Sequence, residues 1–339
     1  MNKKQLFYLI LPVLLAAGAC NNASDELEEE KRLVYNLPPI DAITDSIKND
    51  PDNAELYLER ALRLSQNNHH RLANLDYLKA YELTGKESVA MSYISSLLLS
   101  QDYQKAISFL EDCIENHPGF AEFRRRLGEV YIQTQQYDLA LEQYEELVKM
   151  DDQDFESWLE IGMLKARIGD TAAAIQAMET SYGQLPLDYS GLALANLLVA
   201  QNDRRALDIC DAILSKDSSE FQTDAFYLKG VYYKTNQKPE AAIIQFDSCI
   251  KRDWKFVDAY LEKGIIYYSQ KKFETALDIF TLAATVSNTV ADTYFWMARC
   301  YEALGRIDEA EENYQRALLL DKDFYEADSL LRNLRRNKG

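Results

Sequence analysis

The feature that most constrains this chain is a segment of about thirty-four residues that recurs, with drift, along most of its length. In the cleanest copy, residues 291–324, apolar side chains three or four residues apart mark one face of a helix: Tyr294, Met297, Ala298 and Tyr301. Gly305 interrupts this run, and a second face of the same kind follows it: Ala310, Tyr314 and Ala317. Each copy therefore predicts two amphipathic helices joined by a turn.

The copies align on an alanine at the predicted contact between the two helices. These alanines are 32 to 36 residues apart, a regularity that chance does not produce: Ala73, Ala106, Ala140, Ala174, Ala206, Ala242, Ala276 and Ala310. A small residue suits this position because two helices joined by a short turn approach each other closely. An aromatic or other apolar residue follows four positions later in every copy: Tyr77, Leu110, Tyr144, Met178, Cys210, Phe246, Phe280 and Tyr314. One helix pair cannot bury its apolar face alone, so the copies are expected to stack.

This spacing resembles the tetratricopeptide repeat family. A small residue in the first helix of six copies also fits that pattern: Ala61, Gly128, Gly162, Gly230, Gly264 and Ala298. The second and fifth copies depart from it, with Ile94 and Leu194. The resemblance implies an all-α fold, a right-handed superhelical solenoid of about eight helix-turn-helix repeats with a capping helix at each end. It does not name a ligand, because one scaffold serves many functions.

The pattern divides the chain into five parts. Residues 1–19 are expected to be an export signal, 20–36 an acidic flexible tether, and 37–52 an N-terminal capping helix. The array occupies 53–324, in eight copies: 53–86, 87–120, 121–154, 155–188, 189–222, 223–256, 257–290 and 291–324. A C-terminal capping helix is expected over 325–339, with three leucines covering the last repeat: Leu330, Leu331 and Leu334.

The first twenty residues resemble a bacterial lipoprotein signal. Lys3 and Lys4 precede an apolar run shorter than the ~20 residues that span a bilayer, and small residues then lead to Cys20. In that family the cysteine is lipidated and becomes the first mature residue, which implies anchoring in the bacterial cell envelope, at the outer membrane facing the periplasm. The alternative is ordinary cleavage that leaves Cys20 a free thiol. The acids from Asp25 onward resemble a surface-export signal of Bacteroidetes lipoproteins, with a solvated spacer as the alternative.

Charge and motifs exclude several function classes. The formal net charge of -18 disfavours nucleic acid as a partner, because phosphate binding needs a basic surface. The sequence has no glycine-rich phosphate loop, zinc-protease motif or serine elbow. Cysteines in the array come from different repeats and are expected to be buried apolar residues without disulfides: Cys113, Cys210, Cys249 and Cys300. We therefore expect no catalysis, no cofactor, no metal and no small-molecule substrate.

A binding groove is predicted on the concave side of the array, which the first helices of such repeats line. Positions two, five, nine and twelve of each first helix should face it. The candidates in the last three repeats are Tyr227, Val231, Leu261, Ile265, Tyr268, Phe295 and Arg299, and Arg125 is the candidate in repeat three. Apolar groups there would anchor a peptide or helix, and Arg299 would pair with a ligand carboxylate. The alternative is that several of these side chains pack between neighbouring first helices.

Two functions fit these features. The first is a non-catalytic scaffold, tethered by lipid to the outer membrane, that holds partner proteins or peptides on its curved face. The second is a structural subunit of an envelope secretion or gliding machine. A catalytic role would need a degenerate site that no motif indicates.

Overall fold

The computed structural model describes residues 25–216 and 221–338, with side chains to residue 336. These residues form α-helices joined by short connections, and the described ranges contain no strand. The predicted all-α repeat fold is therefore confirmed. The chain divides into two compact units, Met1–Asp152 and Gln153–Gly339, called unit 1 and unit 2 below. The right-handed superhelix stays a prediction.

The described part of unit 1 starts with a helix over residues 25–34, α1, followed by the single helix α2 and three helix pairs. The helices after α1 are α2 Ile40–Asn49, α3 Ala54–Gln66, α4 His70–Thr84, α5 Glu87–Leu99, α6 Tyr103–Asn116, α7 Ala121–Gln133 and α8 Tyr137–Met150. Consecutive helices from α2 to α8 contact one another. Helix α2 buries three isoleucines, Ile40, Ile43 and Ile47, as a capping helix should.

Unit 2 carries five helix pairs and a final single helix. Its elements are α9 Phe155–Arg167, α10 Thr171–Gln184, α11 Asp188–Ala200, α12 Arg205–Leu214, α13 Gln222–Thr235, α14 Pro239–Arg252, α15 Val257–Ser269, α16 Phe273–Val286, α17 Ala291–Ala303, α18 Ile307–Leu320 and α19 Tyr325–Lys338. Helix α19 covers the last repeat. Its Leu331 and Leu334 are buried in a cluster with residues of α17 and α18, and its Leu330 packs beside them.

The small residue of the first helix is required by the aromatic ring of the second. A Cβ atom added to Gly264 would lie 2.4 Å from Cε1 of Phe280, and one added to Gly128 would lie 2.8 Å from Cε2 of Tyr144. Real Cβ contacts are not this short, so the two helices of a pair are in direct contact at this point. The close approach that the repeating alanine predicts is confirmed.

The turn between the two helices of each repeat contains one residue with left-handed backbone. These eight residues have φ between 55° and 88° and lie four or five positions before the aligning alanine: Asn68, Gln101, Gln135, Gly169, Asn202, Gln237, Lys271 and Gly305. Asparagine and glycine tolerate this conformation best. Gln101, Gln135, Gln237 and Lys271 adopt it because the helices on both sides fix the turn.

The N-terminal segment differs from the flexible tether expected over 20–36. Residues 25–34 are helical, and Val34 is only 5% exposed within a cluster that includes Ile40 and Leu64. Leu27 packs against the same cluster. Leu27 and Val34 are seven positions apart and so share one helix face. Of the acidic residues between them, Glu28 and Glu29 are exposed, whereas Glu30 Oε1 lies 3.0 Å from Nδ1 of His69. The tether expectation is wrong for residues 25–36, and residues 20–24 lie outside the described ranges.

Repeat five is the least regular copy, as its spacing indicates. Helix α12 has 10 residues, whereas α10 and α14 have 14. Helix α11 is buried on most of its surface, with Leu194, Ala195 and Leu198 each at most 2% exposed. This burial agrees with the nearly all-apolar sequence of the helix. Among the described residues, no helix is both long and apolar enough to cross a membrane.

Candidate protein-binding face

The first helices of the last three repeats place their candidate residues on one surface of unit 2. Residues at i, i+3, i+7 and i+10 share a helix face. Helix α15 contacts both α13 and α17, so the three faces adjoin. We call this surface the first-helix face and define it by twelve residues: Asp224, Tyr227, Val231, Lys234, Asp258, Leu261, Ile265, Tyr268, Asp292, Phe295, Arg299 and Glu302.

Two predicted anchors on this face are buried within the protein. Phe295 is 3% exposed, and its ring centroid lies 4.8 Å from that of Phe324 and 6.0 Å from that of Tyr314. Leu261 is 9% exposed in a cluster with Phe280. Both fill space between neighbouring helices, so their assignment as groove anchors is wrong and the packing alternative holds for them.

Four other predicted anchors are half-buried and keep part of their surface accessible: Tyr227, Val231, Ile265 and Tyr268. The Tyr227 ring packs against Phe256, with centroids 5.2 Å apart, and burial followed by the charges of Glu262 and Asp258 raises the pKa of its hydroxyl. The Tyr268 ring lies 5.2 Å from that of Trp296. Both rings pack against a neighbouring ring and keep part of their surface accessible, which suits them to contact a partner.

The two cations of the first-helix face are already engaged. Lys234 forms an ion pair with Glu262. Arg299 lies over the Tyr268 ring, 5.6 Å from its centroid, and its Nη1 is 3.5 Å from Oε1 of Glu326 on α19. The carboxylate beside Arg299 in the structure belongs to this chain, and the pairing of Arg299 with a ligand carboxylate stays a prediction.

The carboxylates at position two of these helices were not singled out in the sequence, although their spacing contains the signal. Asp224, Asp258 and Asp292 follow one another at intervals of 34 residues, and Glu326 continues the series on α19. Among the described residues no ion pair joins the three aspartates to a cation. Burial, and secondly the nearby charge of Asp253, raise the pKa of Asp224. Because no cation in the described ranges pairs with these aspartates, the edge of this face carries negative charge.

The corresponding surface of repeat three, in unit 1, is made of charges that pair with one another. Arg125 Nε lies 3.6 Å from Oε2 of Glu122, and Arg126 Nη1 lies 2.6 Å from Oε2 of Glu129. All four residues are on α7. Repeat three therefore presents paired charges at this surface, whereas the last three repeats present half-buried apolar side chains.

The described residues hold no cluster of histidine, cysteine or carboxylate side chains suited to a metal ion. The thiols of Cys113, Cys210, Cys249 and Cys300 are free and buried. Burial raises the pKa of Cys113 to about 11 and those of Cys249 and Cys300 to about 12, so they are protonated and unreactive at neutral pH.

Each unit has a cleft among its described residues, and the cleft of unit 2 is lined in part by Glu302 of the first-helix face. One of about 530 Å³ is lined by Leu27, Leu75, Tyr93 and Lys105 in unit 1. The other, of about 490 Å³, lies at the turn between α17 and α18, beside Arg306 and Leu334.

The described helices have the architecture of a helical-pair repeat protein, a class that presents a surface of first helices. The tetratricopeptide repeat family matches residues 97–168 and again residues 291–324. Residues 97–168 and 291–324 are therefore tetratricopeptide repeats. Such repeats indicate a scaffold for protein–protein interaction, and proteins that carry them bind protein or peptide partners.

Known proteins are similar to the chain at the level of the repeat. Pre-mRNA-splicing factor 6 of Saccharomyces cerevisiae is 20% identical over 255 residues, which cover 74% of this chain and 28% of that protein. TPR repeat-containing protein YsoA of Bacillus subtilis is 32% identical over 84 residues, 25% of this chain and 23% of that protein. The chain thus spans less than a third of the length of these curated relatives.

A solved structure shows the same fold. A tetratricopeptide repeat protein from Parabacteroides merdae superposes with a TM-score of 0.58 at 15% identity, covering 72% of this chain and 97% of that one. At this identity the likeness concerns the fold alone.

Proposed function

We propose that this protein is a non-catalytic scaffold that holds partner proteins or peptides on the first-helix face of unit 2. The observation that carries the proposal is the set of half-buried side chains on that face, Tyr227, Val231, Ile265 and Tyr268. They are accessible although neighbouring positions of the same helices are buried. Aromatic side chains in this state are typical anchors of a protein interface.

We further propose that the scaffold is lipid-anchored through Cys20 to the bacterial outer membrane, facing the periplasm. The support is the signal-like sequence before Cys20. A Cys20→Ala variant is expected to move from the membrane fraction to the soluble fraction and to lose metabolic labelling by a fatty acid. Labelling that persists in the variant would refute the anchor and leave the scaffold proposal intact.

Site-specific photo-crosslinking tests the binding face. A benzoylphenylalanine placed at Val231 or Ile265 is expected to yield discrete adducts in cells that make the full chain. The matched control positions are Ile244 and Leu282, which are 62% and 54% exposed on the second helices α14 and α16. Adducts at the control positions alone would contradict the proposal. Equal adducts at all four positions, all within one large assembly, would support the alternative function. In that case the protein is a structural subunit whose first-helix and second-helix surfaces are both buried.

A further inference from the structure

A tryptophan of unit 2 is exposed in a turn between two repeats. Trp254 is 61% exposed in the connection from α14 to α15, whereas Trp158 and Trp296 are half-buried on first helices. One repeat further along the chain the same position is Asn288, and two repeats further it is Lys322. The fold therefore does not require an aromatic side chain at this position, and the exposed ring is available for another role.

The backbone around this tryptophan is fixed by two hydrogen bonds. The hydroxyl of Tyr260 donates to the carbonyl oxygen of Trp254 at 3.1 Å, and the backbone N–H of Lys255 donates to Oδ1 of Asp253 at 2.9 Å. Phe256, which follows in the chain, packs against the buried cluster between α14 and α15. The Trp254 ring is thus presented to solvent from an anchored turn.

Three cations accompany the exposed ring. Lys251 and Arg252 are the last two residues of α14, and both are exposed. Nζ of Lys255 lies 5.6 Å from the centroid of the Trp254 ring. No ion pair within the described residues engages any of these three cations. Residues 251–256, called the α14–α15 turn below, carry three positive charges and the single negative charge of Asp253, in a chain of formal net charge -18.

An exposed tryptophan among cations matches the chemistry of an anionic lipid surface. Tryptophan is enriched where proteins meet lipid headgroups, because its ring is apolar and its N–H is polar. Lysine and arginine are attracted to anionic headgroups within about one Debye length, which is ~8 Å at physiological ionic strength. More distant charges of this acidic protein are screened, so the groups of the turn itself determine the contact.

The surroundings of the turn favour a bilayer over an acidic protein. The nearby acids Asp224 and Asp258 belong to the first-helix face, whereas Lys251 and Arg252 end the second helix α14. The next turn between repeats, residues 287–290, contains no charged residue. A protein partner needs about 800 Å² of complementary surface. A lipid surface can be contacted by one turn, because a tryptophan and a few cations suffice for peripheral binding.

We propose that the α14–α15 turn docks on a bilayer of anionic phospholipid, with Trp254 among the headgroups and the three cations at their phosphate groups. This contact goes beyond the proposed function and does not depend on Cys20, because residues of unit 2 alone make it. Together with the anchor proposed at Cys20 it would give the chain two attachments to a membrane, and two attachments would fix the orientation of unit 2.

Vesicle cosedimentation tests the contact with residues 21–339, which retain every described residue but lack Cys20 and the apolar segment before it. The probe is a vesicle of equal parts phosphatidylcholine and phosphatidylglycerol, and a vesicle of phosphatidylcholine alone is the control. At physiological ionic strength the mixed vesicle is expected to bind at least about tenfold more tightly, because each cation near an anionic surface contributes roughly fivefold.

Substitutions in the turn locate the contact. Trp254→Ala is expected to weaken binding on the order of tenfold, through loss of the inserted ring. Tyr325→Ala is its matched control, because Tyr325 is an aromatic residue that is 80% exposed and follows the acidic turn after α18. It should leave binding unchanged, and circular dichroism should show both variants folded.

A second pair of variants separates the turn from general charge attraction. Replacement of its three cations by glutamine, at Lys251, Arg252 and Lys255, is expected to weaken binding on the order of tenfold or more. The control replaces three exposed lysines in turns within repeats by glutamine, which changes the net charge equally: Lys238, Lys271 and Lys272. Binding by this control should stay within about twofold of the parent chain, because at physiological salt charges beyond ~8 Å are screened.

Fluorescence of the parent chain gives a readout that does not depend on cosedimentation. Brominated phosphatidylglycerol quenches tryptophan that it contacts, so vesicles containing it are expected to reduce the emission of the parent chain. In Trp254→Phe the remaining Trp158 and Trp296 are half-buried and should not be quenched.

Three results would overturn the inference. The first is an equal loss of binding in the two triple variants, which indicates unspecific charge attraction. The second is quenching that persists in Trp254→Phe, which assigns the lipid contact to another part of the chain. The third is that the parent chain binds no vesicle, including the case in which a soluble polyglutamate peptide binds instead and assigns the turn to an acidic protein. The photo-crosslinks expected at Val231 and Ile265 are unaffected by these results, so the scaffold proposal is tested separately.

Discussion

Repeat one in unit 1 and repeat seven in unit 2 place a cation at the same position and use it differently. Arg60 and Lys263 each directly precede the small residue of their first helix. Arg60 is 6% exposed and donates two hydrogen bonds of 2.7 Å to Asp76, on the second helix of its own repeat. Lys263 reaches back to Asp247, on the second helix of the preceding repeat, at 2.5 Å.

The difference follows from what lies before each repeat. Repeat seven has a complete repeat in front of it, whose exposed carboxylate Asp247 is within reach. Repeat one has only α2 and the residues before it, which cover Arg60: its Nη1 donates to Oγ1 of Thr44 at 3.1 Å, and its guanidinium carbon lies 4.1 Å from the Tyr35 ring centroid. A cation enclosed in this way requires a paired anion, whereas Lys263 keeps contact with water.

The largest expected effect is the loss of the enclosed anion. Asp76→Ala leaves the Arg60 guanidinium buried without its carboxylate and should destabilise unit 1 by about 3–5 kcal/mol. Urea unfolding followed by circular dichroism measures the change. A loss below about 1 kcal/mol would show that Arg60 escapes to water and would remove the contrast with Lys263.

Substitution of a glycine in repeat seven should destabilise the protein nearly as much. Repeat one has Ala61 where repeat seven has Gly264, and a Cβ at Gly264 would lie 2.4 Å from the Phe280 ring. Gly264→Ala is therefore expected to cost about 1–3 kcal/mol through overpacking. Thermal unfolding is the measurement.

Gly183 supplies the matched control for this substitution. It lies within α10, and a Cβ there would meet no atom within 4 Å. Gly183→Ala should stabilise the protein by up to about 1 kcal/mol because alanine has the higher helix propensity. Destabilisation of similar size in both variants would mean that the Phe280 contact is not the cause.

The repeat pattern predicted the fold because the spacing of its alanine and aromatic positions can be read directly from the sequence. The aligning alanines and the residues four positions later are local signals, and the close contact of Gly264 with Phe280 follows from them. The left-handed backbone of the turn residues was not predicted, although four of them are asparagine or glycine, which tolerate it best. The other four are glutamine or lysine, which do not indicate such a backbone, and only their common position five residues before the aligning alanine does.

The candidate site was predicted less well because burial depends on neighbouring helices. Position five of a first helix is half-buried at Tyr227 but buried at Phe295, where Phe324 packs against it. No pattern within one repeat distinguishes the two. The N-terminal helix was missed because its run of acidic residues suggested a flexible tether, although Leu27 and Val34 share a helix face.

A smaller effect is expected from the ring that covers Arg60. Tyr35→Ala removes the stacking contact but leaves the hydrogen bonds to Asp76 in place. A partly desolvated cation–π contact contributes about 0.5–2 kcal/mol, so unit 1 should lose that amount. Tyr35→Phe keeps the ring and should retain most of the stability. An equal loss in both variants would assign the effect to the hydroxyl instead.

The smallest effect is expected at the exposed pair of repeat seven. Asp247→Asn removes the charge that faces Lys263, but both side chains retain contact with water, and such pairs contribute about 0.2–1 kcal/mol. The change should shrink further in 1 M salt, where the Debye length is about 3 Å. In the same salt series, the larger loss of stability caused by Asp76→Asn should not shrink, because dissolved salt ions do not enter the enclosed environment of Arg60. Equal salt dependence of the two variants would show that the end repeat and the inner repeat hold their cations in the same way.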